Sequence, residues 1–195
     1  MKPILFNTDM VRAILDGRKT VTRRVVKFKP GQNPQWTGYI PDGPVLYGSN
    51  NIPTSKSPYH PGDILYVRET WARSMAGTYI YKATDTPIIL NRWRPSIHMP
   101  KEAARLFLRV TDVRVERLQD MHLIDCMKEG VQLTLVEQGD LVIQGARARD
   151  RFAGVWDATI KPADLPLYGW DANPWVWVIE FERVSKEAAL KGGDS

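Results

Sequence analysis

The chain has 195 residues, 43% apolar and 25% charged, enough for one domain with a sizeable core and too apolar for wholesale disorder. Lys and Arg number 27 against 22 Asp and Glu, a formal charge of +5 that favours an anionic partner such as nucleic acid without naming one. The lone Cys126 excludes an intrachain disulfide, no apolar run reaches membrane-spanning length, and no signal-peptide core forms before Asn7, so the expectation is a cytoplasmic protein with no membrane partner. Histidines stand only at 60, 98 and 122, without metal-ligand spacing among themselves or with Cys126, so neither a metal site nor a cofactor is expected.

Asn7 or Thr8 is a fitting N-cap for a first helix, since either side chain can accept from a free N–H of the first turn. Met10, Val11, Ile14 and Leu15 follow on one helical face, and Gly17 stands where a left-handed C-cap suits a residue without Cβ. A β-branched, alternating run predicts a strand over 19–26. Lys19 and Thr22 have opposite parity in a regular strand, so they share a face only if Lys19 lies in the turn after Gly17 or the strand is bulged.

Residues 27–62 lose periodicity and carry seven prolines and five glycines, which predicts an insertion, either a lid or an ordered surface excursion. The run 63–71 is the clearest strand, with Leu65, Val67, Glu69 and Trp71 on one side. Glu69 continues an apolar row; either the position lies at an edge with the carboxylate in water, or the acid faces a pocket, where it needs a cation or a donor to meet it or a raised pKa. Residues 78–83 predict a hairpin partner turning at Ala76-Gly77. The proline-bracketed segment 93–100 should cross a surface in extended form; a buried Trp93 with a satisfied His98 is the plainer reading, and the functional one has Trp93 or His98 stacking a base and Arg94 meeting phosphate.

A long strand is expected over 105–118 with a bend at Thr111-Asp112, then a short helix over 120–130 stopped by Gly130. An inserted hairpin over 131–143 turning at 138–140 precedes an amphipathic helix over 146–160, whose buried stripe is Phe152, Val155, Trp156 and Ile160. Arg147, Arg149 and Arg151 crowd the beginning of that helix, against its dipole, for which a solvated entry is the plainer account and a nearby anion the alternative. After a loop over 164–173, residues 174–183 form the last strand, and a tail over 185–195 is expected to fray.

The set Gly17-x-Lys19-x-x-Thr22-x-Arg24, the Gly62-Asp-x-Leu-x-Val-Arg-Glu69 box, the long Arg-rich strand and the final apolar strand together resemble an ASCH domain. The Arg68-Glu69-Thr70-Trp71 box, the segment from Pro95 to Pro100 and the run from Asn173 to Trp177 are similar to ASCH proteins carried by phages and prophages. The resemblance implies an α+β fold: a PUA-like mixed, mainly antiparallel β-barrel with flanking helices, one domain over 1–184 with long insertions near 27–62 and 131–145.

Some compact ASCH proteins are amidohydrolases that remove the acyl group of N4-acetylcytidine with a Lys, a Thr and a Glu. Residue by residue, the resemblance implies Lys19, Thr22 and Glu69 as catalytic groups. A threonine hydroxyl becomes a nucleophile when a neighbouring base takes its proton, and a lysine is such a base where burial disfavours its ammonium form. Glu69 would orient Lys19 or protonate the leaving amine, and Arg24 would fix a phosphate or the acyl oxygen. Arg68, Trp93, Arg94, Ser96 and His98 are the expected binding residues for a modified nucleoside or RNA. The alternative is a non-catalytic RNA- or nucleotide-binding module, joined by the Arg147 to Arg151 cluster, or a ribonuclease.

Overall fold

The structure is a computed structural model that describes residues 1–28, 34–40, 43–48, 53–85, 92–132 and 141–191. In chain order the elements are β1 (Lys2–Leu5), α1 (Thr8–Leu15), β2 (Val21–Val25), β3 (Pro34–Ile40), β4 (Gly43–Gly48), β5 (Pro53–Lys56), β6 (Ile64–Arg68), β7 (Trp71–Arg73) and β8 (Tyr79–Tyr81). They continue with β9 (Phe107–Arg117), α2 (Leu123–Lys128), α3 (Leu141–Asp157), α4 (Leu165–Tyr168), β10 (Trp175–Val184) and α5 (Lys186–Lys191).

The fold is mixed α+β with a mostly antiparallel sheet, hydrogen-bonded in the order β1-β6-β9-β10-β2. β6 pairs antiparallel with β9 and β10 with β2, whereas β1 runs parallel to β6 at the sheet edge. The sequence gives little warning of β1: it is four residues long, contains Pro3 and buries only Ile4, a composition that edge strands tolerate. Among the described residues no pairing joins β1 to β2, so the closed barrel implied by the resemblance is not seen there.

The chain divides into two compact units. The first comprises Met1–Lys19, Pro61–Thr111 and Phe181–Ser195; the second comprises Thr20–His60 and Asp112–Glu180. In the first, Ile64, Trp71, Met99, Ala103, Ala104, Phe107 and Ala189 form a buried cluster. Ala189 lies on α5, so the expected fraying tail is helical to Lys191 and buries a methyl group in this core. A hairpin with Gly77 at φ +80° in its turn forms, but its first strand is β7: the expected strand over 63–71 breaks after Arg68, and β7 and β8 make a two-stranded sheet of their own. In the second unit Val21, Leu118, Met121, Cys126, Ala148, Phe152, Trp156, Val176 and Val178 make the core.

Several expectations give way. Residues 27–62, for which the sequence predicts no strands, hold β3, β4 and β5 in a three-stranded antiparallel sheet with register shifts in both pairings. Prolines at strand starts and shifted registers erase the period-2 pattern while Val45 and Leu46 are still fully buried. The segment 93–100 is not extended throughout, because Ser96–His98 closes a 3-10 turn between an extended Pro95 and Met99.

The expected hairpin over 131–143 is replaced at its end by α3, which starts at Leu141; its turn at 138–140 lies outside the described residues. Leu141-Val142-Ile143 is β-branched enough to read as a strand on propensity alone. With the helix starting five residues earlier than 146, Arg147, Arg149 and Arg151 sit in its interior and do not oppose the positive end of its dipole. Val155 is exposed and Ala148 takes its expected place in the stripe. The loop over 164–173 holds a 3-10 turn at Pro162–Asp164 and the short helix α4 at its start.

Candidate functional site

The stretch from Gly17 to Arg24 is built by the way α1 ends. Asn7 caps the helix by accepting from Met10 N–H at 2.9 Å. At the other end Gly17, at φ +73°, allows Gly17 N–H to donate to Ile14 C=O and Arg18 N–H to Ala13 C=O, the paired bonds of a Schellman motif. Lys19 N–H donates to the same Ala13 carbonyl at 3.0 Å, and β2 begins only at Val21. Lys19 therefore lies in the turn, not in the strand, and strand parity no longer separates it from Thr22.

Lys19 is 2% exposed, with its ammonium 5.7 Å from the centroid of the Phe6 ring in the first unit. Thr22, in the second unit, is 1% exposed and stands opposite Ile179 in the β2–β10 register. Glu69, in the first unit, is 1% exposed and follows the end of β6. The expected apolar row holds: Leu65, Val67, Glu69 and Trp71 are all buried. Lysine and glutamate are almost never fully buried unless paired, so both positions are atypical of a half-buried strand and turn.

The group that meets Glu69 is Arg105, which donates from Nε to Oε1 at 2.8 Å and from Nη2 to Oε2 at 3.0 Å. The Glu69 N–H points at the Met99 sulfur at 3.1 Å. Arg24 faces Trp177 across the β2–β10 pair; burial pushes the pKa of its guanidinium down, while Glu129 and Tyr59 act in the opposite direction.

The expected binding residues are partly drawn together around the segment 93–100. Arg68 is turned onto that segment, donating to the carbonyls of Met99, at 2.9 Å, and Ile97. Its guanidinium thus braces backbone. Arg94 forms a bridge with Trp71 and stacks over its ring at 5.1 Å, so the aromatic partner of Arg94 is Trp71. Trp93 and Ser96 are half-buried and His98 is exposed. In the Arg cluster of α3, in the second unit, Arg149 and Arg151 donate to the backbone carbonyls of Gln119 and Gln132.

Two arginines escaped the sequence reading. Arg23 is enclosed by Glu116, Glu129 and Asp125, and Arg105 holds Glu69. An acid on the apolar row of a strand demands a cation, but nothing local says which one answers from 36 residues away. Among the described residues no cluster of three His, Cys, Asp or Glu side chains is suited to a metal ion, and no helix is long and apolar enough to cross a membrane. No protein-family model matches the chain, and comparison with curated proteins and with solved structures gives no significant match.

Proposed function

We propose that the chain is an amidohydrolase that removes the acyl group from an N4-acylated cytidine nucleoside or a related nucleotide, within the PUA-like barrel fold of the ASCH family. The observation that carries this reading is the burial of Lys19, Thr22 and Glu69. Among the described residues six polar or charged side chains are buried, and these three motif positions supply half of them. Of the other three, Arg23 and Glu129 pair with one another and Ser57 bonds to the backbone of Tyr59. Glu69 is likewise paired, with Arg105; what singles the trio out is that the positions matching the motif are the ones that put a lysine, a hydroxyl and a carboxylate out of water.

In this mechanism the Thr22 hydroxyl oxygen attacks the acyl carbonyl carbon as its proton passes to Lys19. The tetrahedral intermediate collapses with cleavage of the carbon–nitrogen bond, and Lys19 returns the proton to the departing N4 amine. Water then hydrolyses the threonine ester, releasing the acid and restoring the hydroxyl. Glu69 supplies the negative counter-charge, and Arg24 is the candidate donor to the developing oxyanion or to a phosphate. The test is turnover of N4-acetylcytidine and related acylated nucleosides by the wild type and by Lys19→Ala, Thr22→Ala and Glu69→Gln. A folded wild type with no turnover on the panel sinks the proposal.

A second reading, an RNA- or nucleotide-binding module, rests on the stacking of Arg94 over Trp71 and of Arg73 over Tyr79 at 4.9 Å. Phosphate contacts would make its affinity fall by roughly one log unit per log unit of salt for each counterion released. RNA binding without such a salt slope, or none at all, counts against it.

A further inference from the structure

We propose that Arg105 is a positioning residue that fixes the Glu69 carboxylate as a hydrogen-bond acceptor and counter-charge, leaving it unsuited to donate a proton. The inference rests on the amidohydrolase reading for its catalytic meaning, though the arrangement itself is visible without it.

The Glu69 side chain is 1% exposed and the Arg105 side chain 27%, so the acid is the deeper partner and the guanidinium closes over it. Two parallel N–H donors occupy one lone pair on each carboxylate oxygen and set the plane of the carboxylate. A carboxylate has about four acceptor positions, so a fork of this kind leaves one on each oxygen for a further donor. A group held in that manner accepts; a role as general acid would require one of the two oxygens to leave Arg105.

Arg105 is in turn held by its surroundings. Its remaining terminal nitrogen donates to Thr84 Oγ1 at 2.8 Å, and its guanidinium carbon lies 4.0 Å from the centroid of the Tyr81 ring. Tyr81 is anchored at both ends: its hydroxyl donates to Ala103 C=O at 2.7 Å and its backbone N–H to Asp85 Oδ2 at 2.6 Å. Burial raises the pKa of that phenol, against the opposing pull of Arg105, which favours the protonated hydroxyl the Ala103 bond needs. Glu69, Arg105, Tyr81 and Thr84 thus form one chain of contacts inside the first unit, from the β7–β8 hairpin to the segment before β9.

The fork distinguishes Arg105 from a cation that merely balances charge. Lysine in its place retains the positive charge but cannot make two parallel, coplanar bonds. The test combines a thermodynamic cycle with steady-state kinetics. Urea unfolding of the wild type, Arg105→Gln, Glu69→Gln and the double variant should give a coupling of about tenfold or more in the unfolding constant, with the double variant recovering much of what Arg105→Gln loses. With N4-acetylcytidine as substrate, Arg105→Lys should retain most of the stability yet lose roughly tenfold or more in kcat, with KM changed less than about twofold. Additive single-variant effects overturn the proposal, as does an Arg105→Lys enzyme with wild-type kcat. An inert wild type with the coupling intact overturns the amidohydrolase reading instead, and supports Arg105 as the residue that fixes Glu69.

Discussion

Arg23 donates to Glu116 at 2.6 Å from a position where its own side chain has no exposed surface. Asp125 lies 3.9 Å from the terminal nitrogen that makes this bond and Glu129 3.3 Å from the other, while Nε is buried with no partner among the described residues. Arg23 therefore compensates a cluster of acids on β9 and around α2, with Arg114 Nε as a further cation 3.4 Å from Glu116. Removing one partner of a buried ion pair typically costs about 3–5 kcal/mol because the remaining charge is left uncompensated. Arg23→Met should lose stability of that order in urea unfolding at neutral pH, and Arg23→Met with Glu129→Gln should lose less. A loss below about 1 kcal/mol would show that the cluster is solvated.

Gly17 offers a separable test of how the candidate site is shaped. A Cβ built there meets nothing within 4 Å, so alanine encounters no clash and the whole penalty comes from φ +73°. An L-residue in that region costs roughly 1–2 kcal/mol. Gly17→Ala should destabilise by that amount, whereas Gly17→Asn should lose less, since asparagine tolerates the left-handed region better. An alanine variant as stable as the wild type would remove the Schellman turn as the reason Lys19 leaves the strand.

The elements legible in the sequence are those whose burial has a clean local period. Asn7 and Gly17 bracket α1, Leu65 to Trp71 alternate inward, and the slip of that alternation along β9 falls at Thr111 and Asp112, both exposed between buried Val110 and Val113. What stayed hidden depends on long-range partners. β4 reads as a Pro- and Gly-rich loop because its two neighbours are paired with shifted registers, and Leu141 to Ile143 favour a strand by propensity although they begin a helix. The motif residues Lys19, Thr22 and Glu69 were visible as residue types. The arginines that answer the buried acids were not, since charge pairing across 36 or 93 residues leaves no periodic trace.

Cys126 carries an alkaline stability limit. Burial pushes its thiol up to about 11, with Arg23 acting the other way. In the unfolded chain the thiol ionises at ordinary values near 8.5–9, so between those limits the folded state holds the proton more tightly. The unfolded state then binds fewer protons, and stability falls as pH rises, by at most ~1.4 kcal/mol per pH unit for this single group. Stability gained from the neutral thiol is fully present below about pH 8.5 and is lost as pH passes through about 11. Urea unfolding across that window should show a shallower alkaline decline for Cys126→Ala than for the wild type. Parallel curves would mean that the thiol does not titrate differently on folding.

Two buried tryptophans should answer the same substitution differently. Trp156 Nε1 donates to the Tyr168 carbonyl at 2.8 Å, tying α3 to α4. Trp71 Nε1 is buried with no acceptor among the described residues, although its ring is flanked by Tyr79 at 5.6 Å and by Arg94. Phenylalanine removes a similar volume at either site. At Trp156 it also leaves a carbonyl that has lost its donor, which costs about 1–3 kcal/mol where water cannot reach it. At Trp71 it removes a donor that no described residue satisfies, and that change offsets part of the lost packing. Trp156→Phe should therefore be the more destabilising in chemical unfolding, by about 1 kcal/mol or more. Equal losses, or a greater loss at Trp71, would mean that the Trp71 indole N–H finds a partner in solution, with an ordered water the first to look for by high-resolution crystallography.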